Sequence, residues 1–580
     1  MSPRIVVDPI TRIEGHLRIE ASLDASNTIT EAYSSGTMVR GMENILKGRD
    51  PRDAWAITQR ACGVCTSLHA IASVRSVEDA LGIKIPKAAS IIRNMMLAQQ
   101  YVHDHVMHFY VLHALDFVDV VSALAADPKK TSDIQQSISA WPNSSPAYFA
   151  DVRAKVQAIV DSGQLSLFSH GYWGHPAYKL PPEVNLLAVA HYLECIDWQS
   201  QVTKIHTIFG GKNPHPNFVV GGVPLPIDMD GDQSLNAEKL SVIADSIKKL
   251  NDFVDMVYIP DLLAVAPYYL DYAGLGEGLG NFLTWGEFPE GDIADTSKYV
   301  VPRALILNRD LKNLIVPDPN DFDKMKEYVS RSWYAYKGGD GVGLHPLKGE
   351  TAFAYTGPKP PYEHLNVEGK YTWLKAPRWN DLPMEVGPLA RVLIMYASGH
   401  KATVGLVNTV LETLKAPAAA LFSTLGRTAA RGIETKVFGD LLPKLYGELV
   451  AEIKAGRTAT FEGSRWEPHT WPSRAEGFGF AEAPRGALGH WVVIQGGKIE
   501  NYQMVVPTTW NASPRDPKDQ PGAYEASLVG TKLAVPDQPL EILRTIHSFD
   551  PCMACAIHMI DAEGRPVAEA GTGFNVVVEP

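Results

Sequence analysis

Two Cys-x-x-Cys pairs, Cys62-Gly63-Val64-Cys65 and Cys552-Met553-Ala554-Cys555, constrain this chain more than any other feature, because 487 positions separate Cys65 from Cys552. Each pair sets two sulfurs on one side of a turn. Zinc ribbons and fingers usually separate their pairs by about 12–20 residues, so that one small module closes round the ion. A spacing this wide serves one shared site only if a large fold brings the two ends of the chain together. Thiolates select nickel, iron, copper(I) or zinc over magnesium or calcium, which points to redox or electrophilic chemistry. Five cysteines in 580 residues are too few for a disulfide framework. The fifth, Cys195, sits in a helical run and reads as a small buried hydrophobe.

Composition excludes several classes. A hydrophobic content of 45% with 20% charged residues describes a globular protein rather than a disordered or membrane-embedded one. With 53 basic against 65 acidic residues the net charge is −12, and no long basic run recommends a nucleic-acid partner. Met1 to Pro9 lacks the charged, apolar and small-residue pattern of a secretory signal, and no apolar run reaches the roughly 20 residues of a membrane span. The expectation is a soluble chain without its own signal, able to travel with an exported partner.

Hydrophobic spacing predicts the fold class. Arg4–Val7, Leu17–Leu23 and Thr28–Tyr33 read as strands, with a turn at Asp24 to Asn27. Leu68, Ile71, Val74, Val77 and Leu81 recur at helical spacing up to Gly82, and a further helix is expected after Pro86, continuing to the region of Asp127. Helical runs cover Glu183–Trp198, Ala237–Tyr258 and Pro388 to about Ala455. Residues 270–380 read as an irregular, aromatic-rich insertion rather than a linker, and His490–Gln495 with Ile499–Val506 read as a hairpin. The result is an α+β fold with a large, mainly helical body, small sheets near both ends and the two cysteine pairs meeting at the core.

Around the cysteines, Asp550 suits a helix cap and Pro551 its first position, which would put Cys552 and Cys555 in a first turn where the helix dipole favours thiolate. His69 lies four residues beyond Cys65 and His558 three beyond Cys555, both on the cysteine face and both candidates for the metal's surroundings.

Arg60-Ala61-Cys62-Gly63-Val64-Cys65-Thr66-Ser67-Leu68-His69 and Asp550-Pro551-Cys552-Met553-Ala554-Cys555-Ala556-Ile557-His558 resemble the two signature motifs of nickel-iron hydrogenase large subunits, the membrane-bound uptake type in particular. Arg12 to His16, Arg40 to Glu43, Asp104-His105 with His108 to Tyr110, Ala483 to Gly486 and Val505 to Trp510 extend the resemblance over essentially the whole chain. It implies that all four cysteines hold nickel, that Cys65 and Cys555 also bridge to an iron carrying carbon monoxide and two cyanides, and that the reaction is reversible heterolytic cleavage of H2 with Cys552 as first proton acceptor. Glu14 matches the proton-relay glutamate, and Arg485 the arginine over the metals with Asp104 and Asp550 beside it. Pro484, Pro507, Thr508 and His69 match the surroundings of the iron ligands; many relatives have serine where Thr508 stands. Glu43, the Met504 carbonyl and His558 match a magnesium site, with Met504 in place of the more usual leucine.

The same resemblance implies a single catalytic domain over 1–558 and a tail, 559–580, removed by a maturation protease, the sequence looking like that of the precursor. Four ligands from five cysteines leave one, too few for an iron–sulfur cluster in this chain. Electrons are therefore expected to leave through an iron–sulfur small subunit, in a heterodimer that could pair with another, towards a membrane acceptor subunit. The small subunit's signal would carry both chains to the periplasmic side of the cytoplasmic membrane, a cytoplasmic location being the alternative. Gly274 to Gly280 does not have the GxGxxG spacing, and no P-loop or GxSxG occurs. The rival from another class is a non-catalytic protein with a structural four-cysteine zinc site.

Overall fold

The computed structural model describes residues 4–556 apart from Arg40, Gln164, Ser166, Leu167, His170, Pro360 and Pro361. The N-terminal strands lie where their patterning puts them: β1 (Arg4–Val7), β2 (Leu17–Leu23) and β3 (Ile29–Gly36) form an antiparallel sheet in that order. Leu17, Ile19, Ala21 and Leu23 share a core with Leu543, Ile546, Phe549 and Met553. This shared apolar core draws the C-terminal cysteine pair back to the start of the chain.

Helix α1 (Leu68–Leu81) ends at Gly82, whose φ of 66° is left-handed. Helix α2 (Lys87–Met107) is shorter than expected: the chain widens into a π-type turn at His108–His113 and then tightens into a 3₁₀ turn at Ala114–Asp116. His108 and His113 are buried and hydrogen-bonded there, so polar side chains, not apolar spacing, govern this stretch. A second antiparallel sheet, β4 (Arg474–Ala483), β5 (Gly486–Gln495) and β6 (Lys498–Val505), lies against α1. A Cβ at Gly477 would stand 2.2 Å from Ser76 O and one at Gly479 1.9 Å from Ala72 O, so strand and helix meet backbone to backbone. Those two glycines hid β4 from a reading based on β propensity.

The body is completed by long helices, among them Pro182–Val202 and α3 (Thr424–Lys454), the latter packed along α2. The insertion at 270–380 holds short antiparallel pairs, and its Trp285 and Trp379 pack with Trp491 and Trp510, joining it to the second sheet. One expectation is corrected: the continuous helical stretch Ala237–Gly274 is long and apolar enough to cross a membrane, with a mean hydropathy of 1.3 in its most apolar window. Its Leu250, Phe253, Val257 and Tyr258 are buried in the protein core.

Candidate metal centre

The first cysteine pair is held by α1 and α2. Cys62 Sγ accepts the N–H groups of Val64 and Cys65 at 3.3 and 3.2 Å. From α2, Gln100 Nε2 donates to Val64 O at 3.2 Å and to Asp104 Oδ1 at 2.5 Å, while its Oε1 accepts from Thr66. The second pair follows helix α4 (Leu540–Ser548). Here the expected helix cap is corrected. Asp550 adopts a left-handed φ of 60°, Cys552 forms an isolated parallel bridge with Glu14, and the short helix α5 starts only at Met553 (Met553–Ala556). Glu14 N–H donates to Pro551 O and Met553 N–H to Glu14 O at 2.7 Å, which keeps Pro551 and Cys552 extended, and the Asp550 carboxylate turns to Arg485 instead.

The four thiols converge. Cys62 and Cys552 sulfurs are 3.3 Å apart, Cys65 and Cys555 3.3 Å, and Cys552 and Cys555 3.1 Å; all four are buried and lie within 4.8 Å of one another. The helix dipole does not make them ionise readily, as the sequence suggested. Burial and the neighbouring sulfurs push Cys552 and Cys555 well above the usual thiol range. Against burial, the other three thiols hydrogen-bond Cys62 and push it down. Four charged sulfurs this close need bound cations.

A cavity of about 10 Å³ adjoins Cys65, Cys552 and Cys555, walled by Leu68, His69, Ala483, Arg485, Leu488, Pro507 and Thr508. Arg485 reaches it from the tip of the β4–β5 hairpin, where Ala483 pairs with Gly486 and leaves Pro484 and Arg485 as a two-residue turn. Its guanidinium lies 3.0 Å from Asp550 Oδ1 and 3.4 Å from Asp104 Oδ2, all buried. Arg485 Nε is buried without a hydrogen-bond partner. A soft four-sulfur donor set beside a small cavity lined by a buried guanidinium fits a nickel–iron group.

Glu14 stands beside Cys552. Its Oε2 accepts from Ala554 N–H at 2.7 Å and lies 3.3 Å from Cys552 Sγ. Burial, then the nearby Cys62, raise its carboxyl to about 6. Gly15 makes the approach possible: its φ is +82°, and a Cβ there would stand 2.7 Å from Ala554 N.

The remaining sequence candidates fall in three groups. Thr508 and Pro507 wall the cavity, with Thr508 Oγ1 accepting Cys552 N–H at 3.0 Å. His69 also walls it and contacts His490 Nε2 through Nδ1 at 3.0 Å, whereas Pro484 is not in the wall and its carbonyl accepts from Arg391. Glu43 accepts Met504 N–H at 3.1 Å, with Thr351 and Lys375 at its second oxygen; His558 and the tail lie outside the described residues. Sequence reading missed Gln100, His490 and Arg391. None belongs to a cysteine-like spacing, and their only signal is polar side chains within otherwise apolar elements.

The nickel-dependent hydrogenase family matches residues 40–558, and a HoxL-like family description matches residues 4–35. The uptake hydrogenase large subunit of Bradyrhizobium diazoefficiens is 53% identical over 98% of this chain and 97% of its own length. The hydrogenase-1 large chain of Escherichia coli K12 is 50% identical over 97% of this chain and 96% of its own. Among solved structures, the Ni-Fe-Se hydrogenase of D. vulgaris Hildenborough superposes with a TM-score of 0.75 at 31% identity, covering 96% of this chain and 100% of that one. With four buried thiols gathered from both ends of the fold, this chain belongs to the nickel-dependent hydrogenase large-subunit family, oxidoreductases that act on H2.

Proposed function

We propose that this chain cleaves H2 reversibly and heterolytically at a nickel–iron centre held by Cys62, Cys65, Cys552 and Cys555. The observation that carries this reading is the Glu14 carboxylate 3.3 Å from Cys552 Sγ, a proton acceptor touching one of four converging sulfurs. Bound nickel and iron supply the electrophile that polarises H2. The chain's own residues do the rest. Cys552 Sγ takes the proton and Glu14 Oε2 receives it; a carboxyl raised to about 6 can accept and release protons near neutral pH. Arg485, neutralised by Asp104 and Asp550, holds a fixed cation over the cavity. Cys65 and Cys555, which line the cavity, would hold the iron together with nickel, and Arg485 Nε and the Thr508 hydroxyl would serve as donors to its carbon monoxide and two cyanides. His69 packs the cavity wall, Pro484 shapes the hairpin turn that carries Arg485, and Pro507 opens the short helix that carries Thr508.

A magnesium ion at Glu43, the Met504 carbonyl and His558 is part of the same reading, supported by the oxygens of Thr351, Gln503 and Glu43 gathered near Met504. Electrons leave through an iron–sulfur small subunit. Support comes from Gly63 and Val64, which are exposed within a motif whose cysteines are buried, and from His215, which reaches Cys62 O at 2.8 Å beside them. That face is where we dock the partner. We further propose a catalytic domain over 1–558, removal of 559–580 by a maturation protease, transfer to a membrane acceptor subunit, and a periplasmic location reached with the small subunit.

Infrared spectroscopy of protein co-purified with its partner, in the window of metal-bound carbon monoxide and cyanide, tests this reading together with metal analysis. Bands with nickel and iron near one each are expected. Zinc without bands, in protein cleaved after His558, would overturn it in favour of a structural four-cysteine site.

A further inference from the structure

A second buried cluster of ligand-type side chains, His113, Asp116 and His547, lies apart from the cysteines. Its cation is already present. Arg12 places its guanidinium 2.5 Å from Asp116 Oδ1 and donates to Leu112 O at 2.8 Å. Asp116 Oδ2 takes His547 Nδ1 at 2.6 Å and His113 Nδ1 at 3.2 Å. The other nitrogen of His547 donates to Thr11 O at 2.8 Å. Burial opposes charge on Asp116, yet Arg12 and the two histidines hold its carboxyl well below the usual carboxylate range.

This hub joins the two segments that meet at Cys552. Residues 10–16 form a loop closed at its base by Ile10 N–H to Leu17 O, with Thr11 and Arg12 on one arm and Glu14 on the other. His547 lies in α4, the helix that leads through Asp550 to Cys552. One carboxylate therefore grips the loop that carries Glu14 and the helix that delivers the sulfur Glu14 touches. We propose that Asp116 is a positioning residue, which through Arg12 and His547 fixes the approach of the Glu14 carboxylate to Cys552. The inference rests on the proton role given to Glu14 above.

Two reactions separate positioning from folding. Exchange, D2 + H2O → HD + HDO, needs proton traffic to solvent, whereas conversion of para-H2 to ortho-H2 needs only splitting and recombination at the centre. In the heterodimer, Asp116→Asn should keep nickel, iron and the infrared bands while the ratio of exchange to conversion falls at least tenfold. Glu14→Gln should do the same, and the double variant should be no lower than Glu14→Gln alone. An unchanged ratio in Asp116→Asn, with Glu14→Gln impaired, overturns the positioning role by itself. An unchanged ratio in Glu14→Gln instead brings down the proton role on which it rests. If Asp116→Asn does not load metals, Arg12→Gln decides, with the same lowered ratio expected. Metal loss in both would make the hub a folding element and overturn the proposal.

Discussion

Replacing Gly15 by alanine tests whether catalysis depends on the closeness of Glu14 to Cys552. The added Cβ would lie 2.7 Å from Ala554 N and 2.8 Å from Met553 Cβ, about 0.7 Å short of ordinary contact. Both obstacles belong to the segment between Cys552 and Cys555, where little can give, so the loop must withdraw and carry Glu14 with it. The 3.3 Å separation between Glu14 Oε2 and Cys552 Sγ then opens towards 4 Å, the outer limit of hydrogen-bond reach to sulfur. A misplacement approaching 1 Å can lower a rate about 100-fold, and we expect H2 uptake with an artificial acceptor to fall about 10–100-fold with nickel and iron retained. Left-handed strain of about 1–2 kcal/mol plus overpacking of about 1–3 kcal/mol should also lower stability. Gly82→Ala is the control: it carries the same kind of strain at φ +66° with nothing within 4 Å of its Cβ, so it should cost stability alone. A metal-loaded Gly15→Ala enzyme with more than half the normal rate would refute the reasoning.

Further outcomes follow from the same geometry. Cys65→Ala should abolish nickel and iron binding and all activity, whereas Cys195→Ala, at a thiol enclosed near Met107, should keep both and lose about 1–2 kcal/mol of stability; metal analysis with a denaturant titration checks the pair. Arg485→Lys keeps the charge but offers one nitrogen where two guanidinium nitrogens face Asp104 and Asp550, and uptake assays should show a loss of about 10–100-fold without metal loss. Glu525 is buried, and burial raises its carboxyl to about 7, so the folded state holds a proton that the unfolded chain releases nearer 4.5. The stability this contributes is present below about 4.5 and lost as pH rises through 7. Glu525→Gln imitates the protonated form, so its Tm relative to wild type should rise between pH 5 and 8.5; a flat difference would show that Glu525 does not titrate as its burial demands.

Elements whose residues follow one apolar rhythm were legible. β1, β2 and α1 stand at the positions their spacing gave, and Gly82 closes α1 as a left-handed cap. Where two backbones touch, the rhythm fails, as in β4, whose Gly477 and Gly479 exist for contact with α1. The four cysteines were legible because sulfur is rare and their paired spacing is local. Asp550 misled because a carboxylate before proline suits a cap equally well, and only the fold brings Arg485 close enough to claim it. The Arg12–Asp116–His547 hub was not legible as a unit, since its members come from three segments and bond across 104 and 431 positions.

The shared core of β2 and α4 also sets a timetable. At about 5–20 residues per second a ribosome needs about 25–100 s to travel from Cys65 to Cys552. For all that time the first cysteine pair, and Glu14 ahead of it, exist without the sulfurs they will face. Leu17, Ile19 and Leu23 wait equally for Ile546 and Phe549. A nascent chain of this protein therefore has no four-thiol pocket to fill, and a metal arriving early would find two sulfurs instead of four. Loading belongs after synthesis, when the last segment closes over the centre.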